Sequence, residues 1–236
     1  MKRSGLLFIA LCFAAIASAQ TQSLGFQLGF TEPILRDNSI SQKSKLAPTV
    51  TTNGIKTGFV YDATIVKGFG LNLSLNYSLS VDPGKWQVEN QLMKAKQMRT
   101  SRILHTLEMP IEWQYKFKIA IDTWLIAYTG PVLQYNVVFT EKTRHRGDPI
   151  KGEWEEPAIN HYKIDKDGDD KNDFSPFNIQ WGVGGGFQYK NYFIRGGYNF
   201  GIYNHFRDNY TNTKEYTNRG RYDEWNIRLG IYFLNF

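Results

Sequence analysis

The 236-residue sequence has a single cysteine, Cys12, and only four histidines. Beyond the first 19 residues it has no uninterrupted run of the roughly 18 apolar residues that a spanning helix needs. The lone cysteine lies in the N-terminal apolar stretch, so the rest of the chain has no disulfide, thiol nucleophile or thiolate metal site. Leu11 precedes Cys12 where a lipidated cysteine follows a small residue, and the apolar core continues past it, which argues against a lipoprotein. Charge of one sign is not dominant. The formal net charge is +6, with no basic helix and no aromatic RNA-binding motif, so a nucleic-acid partner is not expected. The glycines at 182, 184, 185 and 186 are not followed by a helical pattern, which removes the phosphate-cradling reading and leaves one in which they make room for large neighbours.

What is present begins with an address. Lys2 and Arg3, the apolar stretch from Leu6 to Ile16, and Ala17-Ser18-Ala19 before Gln20 have the three parts of a secretory signal peptide. The expected organisation is a signal peptide over 1–19 and one domain over 20–236.

That domain is patterned for strands. From 71 to 81, Leu71, Leu73, Leu75, Tyr77, Leu79 and Val81 alternate without exception with Asn72, Ser74, Asn76, Ser78 and Ser80. Successive side chains of a strand point to opposite sides, so this run makes one apolar and one polar wall, at a length that suits a tilted bilayer-crossing strand. The pattern recurs at Leu24, Phe26, Leu28 and Phe30, at Phe59, Tyr61, Ala63 and Ile65, and at Leu107 through Phe117 on odd positions. It returns at Phe177 to Tyr189, Tyr192 to Ile202 and Trp225 to Phe233. A fifth strand carries Trp124, Ile126 and Tyr128 on even positions but Leu133, Tyr135, Val137 and Phe139 on odd ones; a bulge at Gly130-Pro131 is expected to restore the faces.

Alternation alone does not say which wall faces outward, because a soluble barrel alternates too. The connections break the tie. Those near 67–70, 119–122 and 190–191 are short, whereas 32–53, 82–102, 141–175 and 204–222 are long and polar. Short turns at one end and long loops at the other characterise outer-membrane barrels. Phe69, Tyr115, Phe117, Trp124, Phe187, Tyr189, Tyr192 and Phe233 lie beside the short turns, as one aromatic girdle would. The expected fold is therefore all-β: an eight-stranded antiparallel transmembrane β-barrel, an up-and-down meander, in the cell outer membrane. Lys56, Asp62, Glu108, Glu112, Lys116, Arg195 and Arg228 fall on its inner wall, where they are expected to pair as a polar plug. Phe233 is in phase with the lipid face and Phe236 is not, so a local bulge is expected to bring the last residue into register.

Leu107-Glu108-Met109-Pro110 followed by Tyr115-Lys116-Phe117, then Tyr128-Thr129-Gly130-Pro131, the glycines at 182 to 186, and Arg195-Gly196-Gly197-Tyr198-Asn199-Phe200-Gly201 carry a resemblance. Together they resemble the PorT-like outer-membrane β-barrel family of Bacteroidetes across nearly all of the chain after the leader. The resemblance implies an envelope barrel, and one branch of that family takes part in type IX protein secretion. Gln114 departs from the basic residue that many members carry there, and the chain runs three residues past the expected final aromatic.

Site candidates are few. Asp165-Lys166-Asp167-Gly168-Asp169-Asp170-Lys171-Asn172-Asp173 offers oxygen ligands for calcium, but its glycine is misplaced and Pro176 occupies the position of the bidentate glutamate of an EF-hand; a solvated acidic loop is the expectation. Lys85, Lys94, Lys96, Arg99 and Arg102, against Asp82 and Glu89, form a basic rim suited to lipopolysaccharide phosphates or to solvent. None of His105, His145, His161 and His205 has a serine two residues away, the spacing a lipid-deacylating barrel would use, so no catalytic, cofactor or metal residue is assigned. The functional expectation is a non-catalytic envelope or surface-interaction barrel with a plugged lumen. Its partners would be outer-membrane lipids and lipopolysaccharide, and a protein bound through the extracellular loops. The alternatives are an accessory role in type IX-like secretion and, least supported, a lipid-modifying enzyme.

Overall fold

The computed structural model describes residues 19–37, 49–88, 96–148, 152–163, 174–205 and 220–236. The expected calcium loop over 165–173 and nearly all of the expected signal peptide lie outside these residues. Eight long strands are present: β1 Thr21–Asp37, β2 Asn53–Val66, β3 Phe69–Asp82, β4 Gln97–Ala120, β5 Thr123–Asp148, β6 Phe177–Tyr189, β7 Tyr192–Gly201 and β8 Gly220–Asn235. Each pairs antiparallel with the next, and β1 pairs with β8. The ring is closed, so no wall strand presents an open edge.

The short connections are tight turns. Between β2 and β3, Lys67 and Gly68 both have positive φ, 43° and 88°, the mirror-type hairpin geometry whose twist matches its strands. Asp122 and Lys190 take the same left-handed conformation, at φ 55° and 52°, in the turns before β5 and β7. The long connections are shorter than the sequence implies, because the polar segments 97–102 and 141–148 continue β4 and β5.

The two walls of β3 stand as expected. Leu75 is 59% exposed on the outside, and its neighbour Asn76 is 1% exposed on the inside. Asn72, Ser74, Ser78 and Ser80 are likewise buried. Leu71 is the exception. It belongs to the outward set by alternation, yet it is covered where the register sets it between Ala63 and Trp113.

Strand β5 corrects the expected phase. Its pairing with β6 runs unbroken from Tyr135 opposite Phe177 to Thr123 opposite Tyr189, so no bulge occurs at Gly130-Pro131. Pro131 instead costs a rung: the β4–β5 ladder lapses between Pro110↔Val132 and Trp113↔Thr129 without slipping, because proline cannot donate to it. Leu125 therefore faces out, while Ile126 and Tyr128 are buried inside. Trp124 shares their phase and lines the inner mouth rather than the girdle. The other seven girdle aromatics are exposed on the outer wall. The irregularity in β5 lies higher, where the register shifts between His105 and Thr106 opposite Val138 and Asn136. It turns Phe139 away from lipid and into the lumen, where it is buried.

The C-terminus has the expected bulge. The β1–β8 register shifts between Leu24 and Gly25, and the backbone of Phe236 exchanges hydrogen bonds with Gln22 at 2.8 and 3.2 Å. The terminal aromatic is thereby in the sheet.

Candidate functional site

The lumen is filled in two layers. In the layer nearer the turns, Asp62 on β2 accepts from Lys116 Nζ at 2.7 Å, Arg195 Nη2 at 3.1 Å, Gln114 Nε2 at 2.8 Å, the Tyr232 hydroxyl at 3.0 Å and Asn72 Nδ2 at 3.3 Å. Arg195, with no exposed surface, also donates to Glu112 at 3.1 Å, and Glu112 accepts from Arg228 at 2.7 Å. Lys56 bridges Glu108, at 2.6 Å, and Glu224. Three buried cations and the half-buried Lys116 thus face four buried carboxylates. Each isolated charge would be costly in a medium that solvates ions poorly, and mutual pairing with extra hydrogen bonds offsets that cost.

Neutral groups complete the layer. Gln114 donates to Asp62 and accepts from Arg195 at 2.7 Å, so it joins two ions without adding a charge. A basic residue at this position, as the resemblance leads one to expect, would tip the balance positive. The Arg195 guanidinium lies 5.7 and 5.5 Å from the ring centroids of Tyr128 and Phe193. The Tyr128 ring fits because Gly184 and Gly197 offer no side chain; a Cβ at either would collide with it. That is the role expected of the glycine run. Beside these ions, Gln27 donates to Asn76 at 2.7 Å, and Asn178 donates to Gln134 at 2.7 Å.

The layer at the loop end is aromatic. Leu35, Val50, Leu104, Phe139, Tyr162, Phe174 and Tyr222 form one buried cluster. A void of ≈ 10 Å³, about the least that could hold one water, lies between Leu35, Val50, Leu104, Phe139 and Tyr222 of this cluster and the adjoining Pro33 and Thr52. His161 and His205 are buried against the cluster, and the Tyr162 hydroxyl lies 3.2 Å from His205 Nε2. Burial, and secondarily the neighbouring His161, push the His205 pKa down to about 4. At the opposite end the lumen widens into a vestibule of ≈ 1110 Å³ whose lining includes Asp62, Lys116 and Trp124.

A family model for the outer-membrane protein β-barrel domain matches residues 18–207. The chain belongs to the outer-membrane β-barrel family. It is accordingly an outer-membrane protein, of a class whose long connections are extracellular and short turns periplasmic. Among solved structures, it is similar to Ail of Yersinia pestis in complex with a heparin analogue, at 10% identity over 91% of this chain and 99% of that one, TM-score 0.41. Neisserial surface protein A is 12% identical over 90% and 99%, TM-score 0.39. The N-terminal barrel domain of Pseudomonas aeruginosa OprF is 7% identical over 90% and 100%, TM-score 0.28. No curated protein matches the chain.

The outer-membrane barrel carries an extracellular ribbon above its rim. There β4 and β5 remain paired as far as Gln97 opposite Arg146, and short strands at Gln87–Val88, Gly152–Glu155 and Ile159–Asn160 widen the ribbon. On its inward side His145 stacks on Trp154 at 4.1 Å, and Arg102 bridges Asp82 and Glu141. Its outward side carries Arg99, Lys142, Arg144 and Arg146 with Glu155. The expected basic rim is thus divided: Arg102 is consumed inside and Arg99 faces out, while Lys94 lies outside the described residues.

The histidines have partners other than a catalytic serine: Tyr77 at 2.6 Å for His105, Glu156 at 3.3 Å for His145, Glu141 at 3.7 Å for His161 and Tyr162 for His205. Sequence reasoning missed Glu224 and Tyr232, although both share the inward phase of Arg228 and the same alternation would have found them. It missed Tyr128 because the phase of β5 was inverted. The cap residues Tyr162 and Phe174 lie in an irregular connection, where no periodicity marks them.

Proposed function

We propose that this outer-membrane barrel is a non-catalytic envelope protein, sealed to solutes, that works through its extracellular ribbon. The observation that carries the reading is the matched set of paired lumen ions, Lys56, Lys116, Arg195 and Arg228 against Asp62, Glu108, Glu112 and Glu224, beneath a closely packed apolar and aromatic cap. An eight-stranded barrel has room for little more than its own side chains, and these are held by one another. The outward-facing lipids and lipopolysaccharide are its constant partners, and a protein partner would meet the ribbon. The leader over 1–19 delivers it to the envelope.

A second reading, an accessory role in type IX-like secretion within a PorT-like Bacteroidetes branch, draws on the motif resemblance. It is favoured by the vestibule of ≈ 1110 Å³ open to the periplasm. Photocrosslinking in cells separates the two. Probes at Gln97 and Thr143 on the ribbon are expected to capture surface partners, and probes at Lys67 and Lys190 in the periplasmic turns to capture none. Protein adducts confined to the turns would favour secretion. Mass spectrometry of lipid A from a deletion strain is expected to match the parent; a changed acylation pattern would overturn the non-catalytic assignment.

A further inference from the structure

The outward face of the β4–β5 ribbon has an ordered chemistry with height. Along β4 the outward residues from Phe117 to Leu107 are apolar. At about 3.3 Å per residue and a tilt near 40°, that run rises roughly 25 Å, the height of the hydrocarbon band. Continuing upward come His105 and Ile103, then Ser101 opposite Lys142, Arg99 opposite Arg144, and Gln97 opposite Arg146. No register shift intervenes between His105 and Gln97, so these cations stay on the lipid-facing side. Measured from Ile103, the last outward apolar residue and the partner of Val81 on the lipid wall, Lys142 stands roughly 5 Å higher and Arg99, Arg144 and Arg146 roughly 10 to 15 Å higher. A phospholipid headgroup layer, at roughly 5 to 8 Å, is too thin to reach the three arginines.

Among the described residues, each cation is held in place by a contact that uses only part of its donor capacity. Arg146 gives two N–H groups to Gln97 Oε1, at 2.8 and 2.6 Å, and lies 4.1 Å from the Trp86 ring centroid. Arg99 Nε donates to the Pro83 carbonyl at 2.7 Å. Lys142 and Arg144 share Glu155. A guanidinium has five donors in a planar fork that suits phosphate oxygens, so preorganised arginines with donors remaining are a phosphate-binding arrangement.

We infer that Arg99, Arg144 and Arg146, with Lys142, form a ladder that binds phosphate groups on the saccharide of an outer-leaflet glycolipid. The inference rests on the surface-interaction reading and names the partner of that surface. Height commits it to the saccharide rather than the membrane surface, and the lateral direction commits it to a lipid neighbour rather than a soluble protein approaching from above. Glu155 and Glu153 on the same face lower the net charge, and removal of Glu155 is expected to strengthen binding.

The test uses the full chain in phosphatidylethanolamine nanodiscs containing lipopolysaccharide, the same lipopolysaccharide dephosphorylated, or phosphatidylglycerol at equal charge, with the change in total tryptophan emission that Trp86→Phe removes as the readout. Phosphorylated lipopolysaccharide is expected to bind tightest. Arg99→Gln/Arg144→Gln/Arg146→Gln is expected to weaken it about a hundredfold, at about fivefold per charge removed. Glu155→Gln is expected to tighten binding several-fold, and Lys118→Gln at the periplasmic mouth to leave it unchanged. Heat-modifiable migration on gels verifies that each variant is folded, and the single change Arg144→Gln, expected to cost about fivefold, serves if the triple variant does not fold. Equal binding of the dephosphorylated form, full substitution by phosphatidylglycerol, or an unaffected folded variant would each overturn the inference. None of these outcomes bears on the sealed lumen, which conductance tests separately.

Discussion

The same eight strands wall the lumen throughout, yet it is filled with ions from the turns to past mid-height and with rings at the loop end. The ionic layer is built from strand residues alone: Lys56 and Asp62 on β2, Glu108, Glu112 and Lys116 on β4, Arg195 on β7, Glu224 and Arg228 on β8. A closed hydrogen-bonded wall fixes such groups in position, and only fixed partners make ion burial affordable. The aromatic layer recruits residues from the connections, among them Val50, Tyr162, Phe174 and His205, which fold inward over the opening. Apolar burial is non-directional and tolerates that looser anchorage. The lesson is that the wall can hold charge, whereas the loops can only cover it.

The largest expected effect breaks the ionic layer. Arg195→Met leaves Asp62 and Glu112 short of a shared cation and should cost about 3–5 kcal/mol in chemical unfolding from lipid vesicles, with partial recovery on adding Glu112→Gln. Leu75→Arg places a charge on the opposite face of the wall, one residue from the buried Asn76, and should cost about 2–4 kcal/mol near the bilayer midplane. Refolding of this variant as efficiently as wild type would reverse the assignment of the two walls.

The aromatic layer should respond to acid. His205 has its pKa lowered to about 4 from 6.5, so between those values the unfolded or opened state binds more protons than the closed one. Cap stability is therefore full above about pH 6.5 and declines by up to about 3 kcal/mol as pH falls towards 4. The groups facing His205 are Tyr162, Tyr222, Phe174 and, across the cluster, His161. Near-ultraviolet circular dichroism of the cap tyrosines should report that loss, and His205→Phe should flatten it. The smallest effect lies outside the comparison, at the periplasmic turn. Lys67→Asn, at φ 43°, should stabilise the barrel by about 0.5 kcal/mol, because asparagine accepts the left-handed conformation more readily; thermal melting would detect it.

Much of this was legible in the sequence because a period of two separates the walls so sharply. Seven of the eight lumen ions follow from alternation once the apolar wall is turned outward, and Glu224 shares the same phase. Strand β5 misled because its outward residues include the small and polar Ala127 and Thr129, while Ile126 and Tyr128, apolar by type, fill the lumen. Tyr128 is inside for its hydroxyl as well as its ring, since that oxygen accepts from Arg228 at 3.2 Å. The sequence of the ribbon reads as loop because its residues are polar on both faces, and a strand outside lipid needs no apolar wall. The cap was hidden for another reason: residues brought together by folded-back connections carry no local period.

Single-channel recording on the purified protein in planar bilayers tests the central claim that the lumen is sealed. The account predicts a baseline without steps for wild type at neutral pH. It also predicts that Phe174→Ala, which opens the cap but leaves the ion pairs below it, stays silent, whereas Phe174→Ala combined with Arg195→Ala admits current. Stable conductance steps from the wild-type barrel would contradict it.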